Sequence, residues 1–569
     1  MSPKDDETNP RGLLRRLGSL LPLVDQLHSY GGRDLRSDVV AGLTTAVMLI
    51  PQGMAYAMLA GLPPIVGLYA STVPLVGYAL LGSSRQLAVG PVAVLSLMTA
   101  ASVGAIAETG TDAYLSYALI LALMVGVIQF VMGVARLGIV TNFLSHPVLS
   151  GFTSAAALII AFSQFDSLVG PGFHTLTAVV GGVSLLFLLA VRVWKPSFPG
   201  MFFIVVASTA VVWALGLDAR GIAVVGDVPT GLPGLTLVPI TWEVLETLLP
   251  AAVVIALVGF MESFAVAKKI AEGHGEEDEL EANRELMGLG AANIGAGLFG
   301  GYPVTGGFSR SAVNDKAGSR SNLAAVITAV AVVLTLLFLT DLFYFLPRTV
   351  LAAIIMTAII GLIDLEAVKH LWQVKRDGLV ILVLTFSSTL LIGIEEGLAI
   401  GIGASLLWFI IRATRPHTAV LGRLPGTTSY RNLERHPEAK TIPGLLLVRI
   451  DSQFFFGNVS FLKDTLVRLE KEMDEPLQAV IIDASSINQL DSSAELALHK
   501  ILEGYQERGI EFYFAKTKGP VLDVMRASKF FQDLGENHFT YRVHEAVEKA
   551  CQKCFGTDDP STREENQAG

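Results

Sequence analysis

The residues best placed to do chemistry lie in a stretch badly made for a plain membrane helix. Gly300–Ser321 reads GGYPVTGGFSRSAVNDKAGSRS, with five glycines, one proline and two arginines set among long apolar runs. Tyr302–Thr305 reads as a short extended piece, Gly306 and Gly307 as a break, and Phe308–Val313 as the opening of a helix. A helix starting at membrane depth turns unpaired backbone N–H groups, and the positive end of its dipole, toward whatever lies in front of it. The N–H groups of Gly307, Phe308 and Ser309, the Ser309 hydroxyl and the Arg310 guanidinium would then form an anion site inside hydrocarbon. A second stretch, Ser83–Ser96 (SSRQLAVGPVAVLS), repeats the pattern: Leu87–Val89 is short and apolar, Gly90-Pro91 a break, and Val92 the start of a helix. Two interrupted segments, one in each half of a chain, point to a shared site near the midplane, here with Val89, Gly90 and Val92 on its other side. The plain structural alternative is two Gly/Pro-kinked spans, with Arg310 snorkelling to the surface.

Glu262 lies in the apolar run IALVGFMESFAVA. An ionised carboxylate alone in hydrocarbon is costly, so such a residue is a functional candidate. It reads either as a proton carrier or as a structural partner that neutralises Arg310 or helps to hold a cation. The charged residues that follow, from Lys268 to Glu281, read as a helix end and a solvated loop.

These groups need a membrane scaffold, and the composition supplies one. The chain has 569 residues, 52% of them hydrophobic and only 16% charged, with a mean hydropathy of +0.55; soluble proteins carry about 25% charged residues. Apolar spans near 39–59, 64–81, 113–134, 143–165, 178–193, 201–217, 244–266, 286–299, 324–339, 343–363, 379–394 and 397–411, with the two interrupted stretches, make about fourteen membrane segments. Pro51 and Gln52 put a kink and a polar group in the first span, and His146-Pro147 is expected to break the start of 143–165. An even count leaves both chain ends on one side. Arg11, Arg15, Arg16, Arg33 and Arg36, all before the first span, predict that side to be cytoplasmic. Leu13–Leu27 reads as an amphipathic helix on that face.

From about Arg412 the composition becomes that of a soluble domain. Strands within 444–455, 477–483 and 511–515 alternate with helices at 458–473, 493–508 and 518–527, a pattern for a small α/β domain. The net charge of −10 sits largely in the end regions, and no basic stripe with interleaved aromatics speaks for nucleic acid. Cys551 and Cys554 are the only cysteines, and two ligands do not close a zinc site. No cofactor motif or nucleophile–base set marks an enzyme.

Several blocks together resemble the SulP anion transporters: AGLTTAVMLIPQGMAYAMLAGLPPIVGLYAS from Ala41 to Ser71, SRQLAVGPVAVLS, HPVLSGFTSAAALII, and the run from Met261 through NRELMGLGAANIGAGLFGGYPVTGGFSRSAVN. IIDASSINQLDSSAELAL resembles a STAS domain. The resemblance implies a polytopic α-helical membrane protein with fourteen segments in two inverted repeats of seven. These would divide into a core that carries substrate and a gate, moving in an elevator-like way, as a homodimer in the inner cell membrane. The expected organisation is a cytoplasmic N-terminal region (1–36), a transport domain (37–415), a linker (416–440), a STAS domain (441–556) and a disordered tail (557–569).

By the same resemblance the first span contributes Gln52 and Tyr56, four apart and so on one helix face. Gln52 can donate an N–H, and Tyr56 a hydroxyl or a ring wall; helix–helix bonding and ordinary packing are the structural alternatives. Sodium-coupled relatives carry hydroxyl or carboxylate ligands near Glu262. Here Ser263 is adjacent but Val266, one turn on, has no oxygen, which favours the proton over sodium as coupling ion. Ser493 matches the phosphorylatable position of related STAS proteins, yet reads better as a helix cap. The implied function is secondary active transport of a small inorganic anion, sulfate with protons ahead of bicarbonate or a dicarboxylate, with a passive channel or exchanger as alternative. The implied partners are the bilayer and a cytoplasmic protein at the STAS domain, and no cofactor is expected.

Overall fold

The computed structural model describes residues 22–26, 30–139, 145–195, 198–275 and 280–557. The chain divides into two units, Met1–Ser405 and Leu406–Gly569.

The first unit is largely helical, because in lipid every backbone polar group must be paired within the chain. After a short turn, α1 (Pro22–Gln26), come α2 (Gly32–Leu59), α3 (Pro64–Tyr69), α4 (Val73–Leu81), β1 (Val89–Gly90), α5 (Ala93–Gly104), α6 (Asp112–Val134) and α7 (His146–Val169). Then follow α8 (Thr175–Trp194), α9 (Gly200–Leu215), α10 (Trp242–His274), α11 (Ala282–Leu298), β2 (Thr305–Gly306), α12 (Phe308–Lys316) and α13 (Leu323–Phe338). The last four helices are α14 (Arg348–Ile359), α15 (Leu365–Val374), α16 (Arg376–Leu391) and α17 (Ile394–Thr414). Among the described residues, eight helical spans are long and apolar enough to cross a membrane.

Some expectations change. The span 64–81 is two helices, because Thr72 leaves the helical region (φ −118°, ψ −95°) and Pro74 follows in the next first turn. His146-Pro147 does not break its helix: Pro147 sits in the first turn of α7, where no N–H is required. Helix α10 runs on past Val266 to His274, so Lys268 and Glu272 lie on it, 4.0 Å apart. Of the expected amphipathic helix Leu13–Leu27, the described part, Pro22–Gln26, is helical. Phe143, Glu276–Glu279 and all but the first residue of the tail 557–569 lie outside the described residues.

Two helix groups pack within this unit. One holds α2–α6 and α10–α13; the other holds α7–α9 and α14–α16, with α17 against α16 through Gly397 and Gly401. They meet where α2 touches α9 and α14, and where α5 touches α7 and α14. The most extensive helix contact, between α6 and α11, depends on small residues: a methyl group at Gly126 would lie 2.4 Å from the Ile294 nitrogen, and one at Gly290 2.6 Å from that of Phe130.

The second unit is an α/β layer structure built on β3 (Thr418–Arg423), β4 (Tyr430–Asn432), β5 (Leu445–Ile450), α18 (Val459–Lys471), β6 (Ala479–Asp483), α19 (Ser492–Gln506), β7 (Glu511–Ala515), α20 (Gly519–Ala527), α21 (Phe530–Leu534), β8 (Phe539–Thr540) and α22 (Val543–Phe555). The sheet order is β4-β3-β5-β6-β7-β8, parallel from β5 to β8 and antiparallel at β3 and β4. Alternation sorts its side chains. Leu446, Val448, Val480 and Ile482 join the core under α18–α20, while Leu445, Leu447 and Ile481 pack with α22. The stretch 416–440, expected as a linker, carries β3 and β4: β3 pairs with β5 and β4 with β3, so both extend the sheet.

Candidate anion site

The two interrupted stretches meet. Strands β1 and β2 pair antiparallel, Val89 opposite Gly306 and Gly90 opposite Thr305, and the Gly307 N–H continues the ladder to the Ala88 carbonyl at 3.0 Å. Extended backbone at membrane depth is tolerated only where its polar groups are satisfied, and side chains do this here. Ser311 Oγ accepts the Ala88 N–H at 2.9 Å, Asn314 Nδ2 donates to the Gln86 carbonyl at 3.0 Å, and Ser263 Oγ accepts the Gly306 N–H at 2.7 Å. Asn293 acts as a missing strand for Val304, accepting its N–H at 2.8 Å and donating to its carbonyl at 3.0 Å. Asn293 is fixed in turn by Gln129 at 3.0 Å, whose amide donates to the Ala256 carbonyl, also at 3.0 Å. Tyr302, fully buried, hydrogen-bonds Ser96 across the same pair at 2.9 Å.

From this pair α5 starts after Val92 and α12 after Gly307, and neither start carries a side-chain cap. The first N–H groups of each helix therefore lack intrahelical partners, and each end carries about half a positive charge. Arg310, in the first turn of α12, is 1% exposed. Its Nη1 donates to the Pro91 carbonyl at 2.7 Å and to Gln52 Oε1 at 3.4 Å. Among the described residues, its Nε and Nη2 are buried with no hydrogen-bond partner. These two nitrogens form one edge of the guanidinium, the fork that matches an oxyanion. Among the described residues, no carboxylate forms an ion pair with Arg310; Glu262 lines the same cavity without a direct contact to it.

The cavity has a volume of ≈ 520 Å³. Gln52, Tyr56, Val92, Glu262, Gly307, Phe308, Ser309 and Arg310 all line it, so most of the residues singled out from the sequence come together. Val89 and Gly90 do not line it; Val89 holds the pairing, and Gly90 lies behind the guanidinium, where a methyl group would come 3.3 Å from Arg310 Nη2. Along α2 the lining runs from Tyr56 through Gln52 and Met48 to Thr44, and it continues to Arg192 and Lys316 near the ends of α8 and α12. Sequence reasoning missed Asn293, Gln129, Ser311 and Met201. A buried Asn and Gln in apolar runs was the available signal for the first two.

In the second unit Ser493 is exposed in the first turn of α19 and is not its cap. Asp491 takes that place, its carboxylate accepting the Ala494 N–H at 2.6 Å, because the helix begins one residue earlier than expected and an acidic cap suits the dipole.

A family model described as the sulfate permease family matches residues 35–175 and 171–385, and a STAS domain model matches 436–550. The chain is 37% identical over 572 residues to "Sulfate transporter 4.1, chloroplastic" of Arabidopsis thaliana, covering 94% of this chain and 83% of that protein. It is 35% identical to a "Probable sulfate transporter" of Mycobacterium tuberculosis, covering 93% and 97%. Its fold matches the murine Slc26a9 anion transporter, solved in an inward-facing state, with a TM-score of 0.87 at 23% identity over 97% of this chain and 96% of that one. With its paired half-helices around a buried arginine and its appended α/β unit, the chain belongs to the sulfate permease family of membrane anion transporters and ends in a STAS domain.

Proposed function

We propose that this protein is a secondary active transporter that carries sulfate together with protons. The helix group holding Arg310 would serve as the moving core, and the group of α7–α9 and α14–α17 as the gate, in an elevator-like cycle. The reading includes fourteen membrane segments in two inverted repeats, cytoplasmic chain ends and a homodimer. The single observation that carries it is the Arg310 guanidinium, buried, among the described residues, without an ion-pair partner and with no hydrogen-bond partner at Nε or Nη2, between two helix starts that carry no side-chain cap. A buried charge in that condition is costly until an anion pairs with it.

Two helix ends add about one unit of positive charge to the one on Arg310, which suits a dianion better than a monoanion. The relatives of Arabidopsis thaliana and Mycobacterium tuberculosis carry sulfate in their names, which supports the same choice. In the cycle, an anion exchanges its water shell for the Arg310 fork, the N–H groups of α5 and α12, the Ser309 hydroxyl and the Gln52 amide. Glu262, on the same cavity, takes a proton, so that the loaded core crosses hydrocarbon with less net charge.

The test is uptake into proteoliposomes of labelled sulfate, bicarbonate and dicarboxylates, with and without imposed proton and sodium gradients. Sulfate accumulation driven by protons is expected. Arg310→Ala should abolish uptake while the purified protein keeps its fold; normal transport by that variant would overturn the site.

A further inference from the structure

Gln52 touches both helix groups. Its Oε1 accepts from Arg310, on the group that holds the half-helices, and its Nε2 donates to Met201 Sδ at 3.2 Å. Met201 is the second residue of α9, on the other group. Its place is set by close packing: a methyl group at Gly200 would lie 2.9 Å from Val191 of α8. Two side-chain hydrogen bonds found among the described residues join the two groups, this one and that from Ser102, on α5, to Glu395, at the start of α17. The first is at the anion cavity itself, where both Gln52 and Met201 are part of the lining.

A thioether is a weak acceptor. An oxyanion is a strong one, and hydrogen bonds to it are about twice as strong as neutral ones. A buried amide N–H facing both would leave the sulfur for the anion. We propose that Met201 is a positioning residue that latches the anion site to the gate helices through Gln52, and that an arriving oxyanion releases the latch by taking the Gln52 N–H. The inference rests on the anion reading of the Arg310 site and adds to it a way for occupancy to be felt by the contact between the groups. A ligand shifts a conformational equilibrium only through differential interaction with its states, and an exchange of acceptors supplies one.

The test uses the full chain and labelled sulfate. Met201→Leu keeps volume and removes the acceptor. The empty site then holds an unpaired Gln52 N–H that sulfate satisfies, so sulfate should bind about twofold to tenfold more tightly than to the unsubstituted protein, the range that one hydrogen bond is worth. Net uptake, which requires the empty core to return, should rise relative to sulfate–sulfate exchange, which does not. A merely structural loss of packing would weaken binding and slow both modes equally. Met201→Gln restores an acceptor and should bring affinity and the ratio of net uptake to exchange back toward the original values. Unchanged or weaker sulfate binding in Met201→Leu, with Arg310→Ala still abolishing binding, would overturn the latch and leave the anion site standing. Sulfate binding that survives Arg310→Ala, or its absence in the unsubstituted protein, would overturn both.

Discussion

The guanidinium of Arg310 lies folded back against Gly307, three residues earlier: a methyl group on Gly307 would sit 2.8 Å from Nη2 and 2.9 Å from Cζ. The charge that would hold the anion is thus seated on a bare stretch of backbone at the helix start. Because Nη1 is tied to the Pro91 carbonyl, any shift of the group strains that bond. Gly307→Ala should displace the guanidinium without unfolding the protein. Sulfate affinity should fall about tenfold to a hundredfold, the worth of one misplaced charged hydrogen bond. Equilibrium binding to the purified variant is the measurement, and wild-type affinity would refute this seat for the charge.

Glu262 shares the cavity with Arg310 and forms no ion pair with it. Glu262→Gln keeps the shape and removes the titration. Sulfate binding and sulfate–sulfate exchange should persist, while an inward proton gradient should no longer drive accumulation. Unchanged gradient-driven uptake would take Glu262 out of the coupling.

Asn293 is fully buried and serves both backbone groups of Val304. Asn293→Ala leaves those groups and the Gln129 amide oxygen unpaired, at a cost of about 1–3 kcal/mol for each group left buried. The detergent-solubilised variant should melt several degrees lower and transport more slowly. Gln129→Ala, which leaves Val304 paired, should do less. Equal melting of the two variants would show that Val304 does not depend on Asn293.

In the STAS unit, burial alone would push the Glu511 carboxyl up. Hydrogen bonds from Lys553 and His538, each 2.9 Å from the carboxylate, outweigh it and hold the group below its ordinary value. A carboxyl depressed in the folded state contributes stability that is complete above its unfolded pKa, about 4.3, and is lost as pH falls through the lower folded value. The STAS fragment should therefore lose stability below about pH 4, and Glu511→Gln should flatten that loss. Denaturant unfolding at a series of acid pH values checks it; parallel curves for the two proteins would dismiss the contribution.

The two breaks were legible in the sequence because Gly90-Pro91 and Gly306-Gly307 pair two poor helix formers side by side, and Arg310 stands in the turn that follows the second. The contacts that hold the breaks together were not. Hydroxyls in spans often bond their own helix, as Ser96, Thr99 and Ser102 do to carbonyls four residues back, so nothing local marks Ser263 or Ser311 as a bridge. Met201 is likewise one apolar residue among many until Gln52 is seen beside it. In the second unit, β4 is three residues long and becomes a strand only by pairing with β3. Between Asp491 and Ser493, both good caps, the choice turned on where the α19 backbone enters the helical region.

The bond from Ala88 to Ser311, with the rungs of β1 on β2, joins the two half-helices into one piece. That pairing resists a change in the spacing of their positive ends. With that spacing held, discrimination by size among oxyanions would fall to the side chains at 52, 56 and 309, which line the same cavity, and a changed passenger would be sought by substitution there.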